Sequence, residues 1–280
     1  MSQPSSTRVV LLGTGAGPTP KAGRQPTAAV LLHGGAAYVI DCGNGVGLQL
    51  VRARVALRTL RAIFITHHHL DHVADFGTLV AQAWSQLRSP IDLTGPPPLA
   101  RMCEQYCELY SIDIDSRVAE EGRTPLKELM RAREISGACE CYVDDNVKVS
   151  CLPVPHGSIA HAFAYRFDCA DRSVVFSGDT ALSLELADFA KGAHTLVHEA
   201  VYPQALHHLA PLGGARLLER ITSAHSAVEQ AALVAKRAGV AKLVLSPLAP
   251  ATGVTDDEWI AAARSEYSGE IVIGQDLLEV

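Results

Sequence analysis

The 280-residue sequence predicts an α/β fold: two packed mixed sheets with helices on their outer faces, in one domain covering residues 1–280. Three features lead there. Short apolar runs separated by turn residues open the chain, and a second series of them opens its other half. Helical periodicity follows each series. No Gly/Ser-rich linker divides the halves.

Residues 8–12 read as the first strand and lead into Gly13-Thr14-Gly15-Ala16-Gly17-Pro18. Residues 28–32, a His33-Gly34-Gly35 turn, and residues 37–40 ending at Asp41 complete a β-meander. The glycine loop lacks the third glycine of a dinucleotide fingerprint and enters a strand rather than a helix, so it is not read as a nucleotide site. Residues 43–54 read as helix and 61–65 as a buried strand. Residues 75–87 and 97–110 have helical periodicity, the latter announced by Pro96-Pro97-Pro98. The more polar stretch 89–137 is expected to be a helical insert covering one side of the site. Residues 147–152, 162–167 and 173–176 then read as strands, 182–190 as helix and 195–197 as strand. Residues 226–238 form an amphipathic helix stopped by Gly239. A buried strand at 241–245, a helix at 256–265 and a strand at 271–273 complete the pattern.

Bulk composition sets limits on function. Net charge is −6, which argues against a large nucleic-acid footprint, because phosphate binding needs clustered Lys and Arg. No run approaches the roughly 20 apolar residues that span a bilayer, so no membrane partner is expected. Residues 1–7 are polar, lack a signal-peptide layout, and read as a short frayed tail. The seven cysteines fit no disulfide framework. Cys103 and Cys107 share a helix face, and Cys139 and Cys141 have no second thiol pair with which to build a four-thiolate zinc site. Reduced thiols point to a cytoplasmic protein.

The chemistry concentrates in Thr66-His67-His68-His69-Leu70-Asp71-His72. Four metal-competent side chains, in the spacing His-x-His-x-Asp-His, leave an apolar strand. As the chain turns, His67 and His69 point one way and Asp71 and His72 toward a neighbouring position. Such an arrangement can feed two adjacent ions. His68 is expected to point away.

The segment resembles the signature of the metallo-β-lactamase superfamily, and the chain as a whole resembles its ribonuclease Z/arylsulfatase-like branch. The likeness runs through LLGTGAGPTP with Arg24, YVIDCG, FITHHHLDH, PVPHG, FSGDT, LVHEA and AHSAVEQAALVAKRAGVAKLVLSPLAP. It implies an αββα sandwich and a metal-dependent hydrolase. It assigns His67, His69 and His156 to a first metal and Asp71 and His72 to a second, with Asp179 bridging. The ligand set suits zinc, and also iron or manganese. Asp41, at a strand end, is expected to orient a histidine rather than bind metal. The resemblance pairs His225 with Glu199, making His225 a candidate proton donor to a leaving group. His194 and His198 are expected to be structural.

One position departs from the family pattern. Where ribonuclease Z-like sequences end a strand in Thr/Ser-His and complete the second metal site, this chain has Ser246-Pro247. Proline offers no ligand, so the site holds one ion or two, with His207 and His208 as the nearest unassigned replacements. In such a site metal lowers the pKa of bound water toward neutrality, and Asp71 helps hold the nucleophile.

His156 and Asp179 are separated by too few residues for an inserted tRNA-gripping arm. The expected substrate is therefore a small ester, lactone, sulfate ester or phosphodiester, with nucleic acid unfavoured. Two alternatives stay open: a ribonuclease Z-like endonuclease acting on RNA 3′ ends, and a non-catalytic metal- or ligand-binding descendant. The resemblance also allows a homodimer.

Overall fold

The computed structural model describes residues 6–280, without the side chains of residues 207–215. His207 and His208, the candidate replacement ligands, therefore lie outside the described residues.

The chain opens with the expected meander: β1 (Arg8–Gly13), β2 (Ala28–His33) and β3 (Ala36–Ile40) pair antiparallel. The β2–β3 turn is built by Gly34 and Gly35, both at positive φ. Helix α1 (Val46–Arg52), strand β4 (Leu60–Phe64) and the short helix α2 (Leu70–Val73) follow, then α3 (Phe76–Ala83). Strand β5 (Ile91–Gly95), helices α4 (Leu99–Leu109) and α5 (Ser111–Glu121), and strand β6 (Met130–Glu134) complete the first half. Its sheet runs β1-β2-β3-β4-β5-β6, with β3 through β6 parallel.

The second half repeats the scheme. Strands β7 (Cys139–Val143), β8 (Val147–Pro153), β9 (Phe163–Cys169) and β10 (Ser173–Phe176) pair antiparallel. Helix α6 (Leu184–Phe189) leads to β11 (Thr195–Val201), and α7 (Ala210–Ala224) and α8 (Val228–Ala238) to β12 (Lys242–Ala249). Helix α9 (Asp256–Arg264) and β13 (Glu270–Ile273) close the chain. This sheet runs β13-β12-β11-β10-β9-β8-β7, with β10 through β13 parallel.

Alternation along the strands explains the layering. Val9, Leu11, Tyr38, Phe64, Phe163, Tyr165, Phe167 and Val197 point between the sheets and form one buried core. The opposite faces take helices. Helices α1, α3 and α4 cover the first sheet through Leu50, Leu79 and Leu99. Helices α6, α8 and α9 cover the second through Leu186, Ala231, Val234 and Trp259. In α8 the buried positions Val228, Ala231, Ala232, Ala235 and Ala238 follow the 3.6-residue period, and Gly239 stops the helix at φ 67°. Thr255 caps α9, accepting from Glu258 N–H, and Glu258 reaches back to Thr255 N at 2.8 Å.

Three expectations are corrected, and a helix that the sequence reading left unassigned appears. Residues 89–137 are not simply a helical insert, since they supply β5 and β6 to the first sheet. Polar Asp92, Arg131 and Arg133 hid those strands, and β6 is an edge strand that tolerates them. Helix α7 carries Pro211 and the Gly213-Gly214 pair near its start, poor helix signals in a stretch to which the sequence pattern assigned no element. Strand β12 continues through Ser246 and Pro247 instead of ending at residue 245. Thr7 is no frayed end: it is buried and its backbone N–H donates to Asp171 at 2.9 Å. No described helix is long and apolar enough to cross a membrane.

Candidate metal centre

Carboxyl ends of the central strands meet at one edge of the sandwich, and the predicted donors leave from there. His67 follows β4, Asp179 follows β10, Glu199 lies in β11, and His156 sits in the loop after β8. His69 is the residue before α2, which carries Asp71 and His72. Parallel strands place such residues side by side although the sequence separates them widely.

Four of them close into one group: His67, His69, His156 and Asp179 each offer an atom within 4.8 Å of all the others. His67 Nε2 is 2.9 Å and His156 Nε2 3.1 Å from His69 Nδ1. Asp179 Oδ2 lies 3.9 Å from His67 Nε2 and 4.0 Å from His156 Nε2. Ligands of a tetrahedral ion bound at 2.0–2.2 Å are roughly 3.3 Å apart, so these separations suit one.

Hydrogen bonds on the far side of the rings orient the lone pairs. His156 Nδ1 donates to Ala224 O at 2.9 Å. His67 Nδ1 lies 3.0 Å from Thr66 Oγ1, which itself donates to Asp41 Oδ2 at 2.9 Å. His72 Nδ1 donates to Asp41 Oδ2 at 2.7 Å. Each bond commits an Nδ1 proton and leaves Nε2 as an inward lone pair. Asp41 thus has the orienting position expected of it. Its own backbone stands at φ 58°, a conformation that Asp tolerates better than most residues.

Two buried atoms of the site, His72 Nε2 and Asp179 Oδ1, have no hydrogen-bond partner among the described residues. Orphaned acceptors this deep are costly unless something charged meets them, and a cation fits.

The second set, Asp71, His72 and Asp179, does not close into such a group among the described residues. His72 Nε2 is 3.4 Å from Asp179 Oδ2 and 3.7 Å from Asp71 Oδ2. Asp71 belongs neither to the group of four nor to another set, Asp179, Glu199 and His225, that also closes within 4.8 Å among the described residues. Its Oδ2 instead accepts from Gly17 N at 2.7 Å, a partner that sequence reading missed. The loop carrying Gly17 is held by the C-terminal Asp276, which accepts from Thr14 N at 3.0 Å and Gln25 N at 2.6 Å. Ser246 and Pro247 line a small cleft with Asp41, Thr66, His72 and Asp179, where the resemblance expects a histidine.

Beside the donors sits the anticipated pair. His225 Nδ1 is 2.9 Å from Glu199 Oε2 and 3.8 Å from Asp179 Oδ2. Burial pulls the imidazole pKa down, but the charge of Glu199 and its hydrogen bond reverse this and raise it. His225 does not cap α8, because Gln230 fills that role by accepting from Ala227 N at 2.9 Å. His68 turns away as expected and bonds Pro96 O at 2.8 Å. His198 is fully buried in β11, and His194 bonds Thr195 Oγ1 at 2.9 Å.

Fold and site together define a hydrolase of the metallo-β-lactamase class. A family model described as the beta-lactamase superfamily domain matches residues 37–246. The chain is 34% identical over 279 residues to the ribonuclease Z of Mycobacterium sp. (strain KMS), covering 97% of this chain and 95% of that one. It belongs to the β-lactamase superfamily and, within it, to the ribonuclease Z family. Among solved structures, the metallo-beta-lactamase fold protein YhfI from Bacillus subtilis superposes with a TM-score of 0.75 at 19% identity, over 99% of this chain and 100% of its own. The short form of human tRNase Z gives 0.70 at 21% identity, over 98% of each chain.

These relatives overturn the expectation of a small-molecule substrate with nucleic acid unfavoured. The two premises behind it were weak. Net charge averages over the whole surface and says nothing of a local site. The alignment covers nearly all of both chains, so a long inserted arm is not what separates this protein from a ribonuclease Z.

Proposed function

We propose that the protein is a ribonuclease Z-like, metal-dependent phosphodiesterase that cuts RNA endonucleolytically at the 3′ end of precursor tRNA. The observation carrying this reading is the convergence of His67, His69, His156 and Asp179 beside the Glu199–His225 pair. The naming of the mycobacterial relatives supports RNA as the substrate class.

His67 Nε2, His69 Nδ1, His156 Nε2 and Asp179 would hold the first ion, and zinc suits this nitrogen-and-oxygen set. Asp71, His72 and Asp179 would hold a second more weakly. When bound, such a cation makes water nucleophilic near neutral pH and polarises the phosphoryl group. Asp71, fixed by Gly17 N–H, is placed to orient the attacking water. As the new P–O bond forms and the old one breaks, His225 gives its proton to the departing oxygen. Glu199 keeps that imidazole protonated and aimed.

The test is incubation of the zinc-loaded protein with a precursor tRNA bearing a 3′ trailer. Cleavage at the trailer junction, abolished by a chelator, is expected. If fully loaded protein leaves the precursor intact with zinc, manganese or iron, the reading fails.

A further inference from the structure

The C-terminal end of α7 leans over the donor group. Ala224 O holds His156, and Arg220, one turn earlier on the same face, brings its guanidinium to 3.4 Å from His69 Nε2. His69 differs from the other histidines of the group in presenting Nδ1 inward, toward both His67 and His156. With Nδ1 acting as a lone pair, the ring proton must sit on the outward Nε2. Arg220 has only donors. Two donor groups therefore face each other at 3.4 Å with no acceptor between them.

Other cations near the site are already committed. Lys21 Nζ donates to Gly17 O at 3.0 Å and Thr19 O at 2.8 Å. Arg24 donates through Nε to Ala251 O at 3.0 Å and through Nη1 to Thr14 Oγ1 at 2.7 Å. Among the described residues Arg220 forms no ion pair with a carboxylate, and its side chain is exposed at the rim. A single anionic oxygen would satisfy both donors, and a planar guanidinium suits a phosphoryl group better than an ammonium does.

We infer that Arg220 and His69 Nε2–H together grip a phosphoryl oxygen of the RNA backbone beside the metal centre, which makes Arg220 a substrate-binding residue. This rests on the phosphodiesterase reading above. It also explains why a chain of net charge −6 can take an anionic substrate: the required positive charge is local and aimed.

The experiment titrates the zinc-loaded protein with inorganic phosphate by calorimetry, comparing wild type, R220A, R220Q and R220K, with bound zinc and thermal unfolding measured for each. R220A and R220Q are expected to weaken phosphate binding roughly 10-fold or more, the effect of losing a charge-assisted hydrogen bond. R220K should recover part of the loss. Zinc content and unfolding should stay at wild-type values, and RNA cleavage should show a raised KM with a smaller change in kcat. Wild-type phosphate affinity in R220A, loss of zinc from it, or no phosphate binding by the wild type overturns the inference. The two readings separate cleanly. RNA cleavage with phosphate affinity unchanged in R220A removes the grip and leaves the function. Weakened phosphate binding in R220A, in a protein whose wild type cuts no RNA, keeps the grip and removes the function.

Discussion

Glu199 receives His225 Nδ1 on Oε2 at 2.9 Å while its Oε1 accepts the backbone N–H of Thr180 at 2.7 Å, so one buried carboxylate ties the proposed proton donor to the turn that carries Asp179. An amide at 199 keeps the shape and loses the charge. Glu199→Gln should lower RNA cleavage by about 10²-fold or more while leaving bound metal unchanged. His225→Ala should cost a similar factor, and the double variant little beyond either single one, because the two act as a unit. Additive losses in single-turnover assays would show that they work separately.

His67 and His156 supply two of the three imidazoles of the compact group. Alanine at either should weaken zinc binding more than about 100-fold, since even losing a supporting partner of a ligand costs 10–100-fold. Chelation of the wild type should lower its apparent melting temperature, because an ion bound only by the folded state stabilises it. Metal analysis and thermal unfolding check both outcomes.

Pro247 lines the cleft beside His72 and Asp179 without offering a ligand. Pro247→His should allow a second equivalent of zinc to remain bound through gel filtration and should raise the cleavage rate. If metal content and rate both stay at wild-type values, the missing histidine is not what limits the second position.

Away from the site, Asp144 accepts from Tyr38 Oη at 2.7 Å, Tyr142 Oη at 2.9 Å, Asn146 N at 2.8 Å and Val147 N at 3.0 Å. Burial pushes its pKa up, but these four donors outweigh it and hold it below the usual value. Asp144→Ala should cost about 2 kcal/mol at neutral pH, charged hydrogen bonds being discounted here for partial exposure. A carboxylate with a depressed folded pKa stabilises fully above its unfolded value, about 3.9, and the benefit fades as pH falls through the folded value. Denaturant titrations should therefore find the gap between wild type and variant constant near pH 7 and closing below about pH 4.

What the sequence made legible was whatever residue type and short-range spacing can encode. His67, His69, Asp71 and His72 announce themselves because four donors crowd the end of one apolar strand. His156 and Asp179 are ordinary loop residues until a resemblance puts them in order. Gly17 N and Ala224 O left no mark, since every residue carries a backbone N–H or C=O and only the folded chain decides which one meets Asp71 or His156. Arg220 lies in a helix to which the sequence pattern assigned no element. Strands β5 and β6 were missed because an edge strand and its neighbour can be half polar. The substrate reading failed for a related reason: a summed charge of −6 cannot report where single cations stand.

Asp276 grips Thr14 and Gln25, and the loop between them presents the N–H that fixes Asp71. Asp276 lies far along the sequence from both of its partners, so the setting of Asp71 depends on a long-range contact in which no member of the compact donor group takes part. Asp276→Ala is expected to retain zinc and lose much of its RNA cleavage, and full cleavage by that variant would remove the clasp from the account.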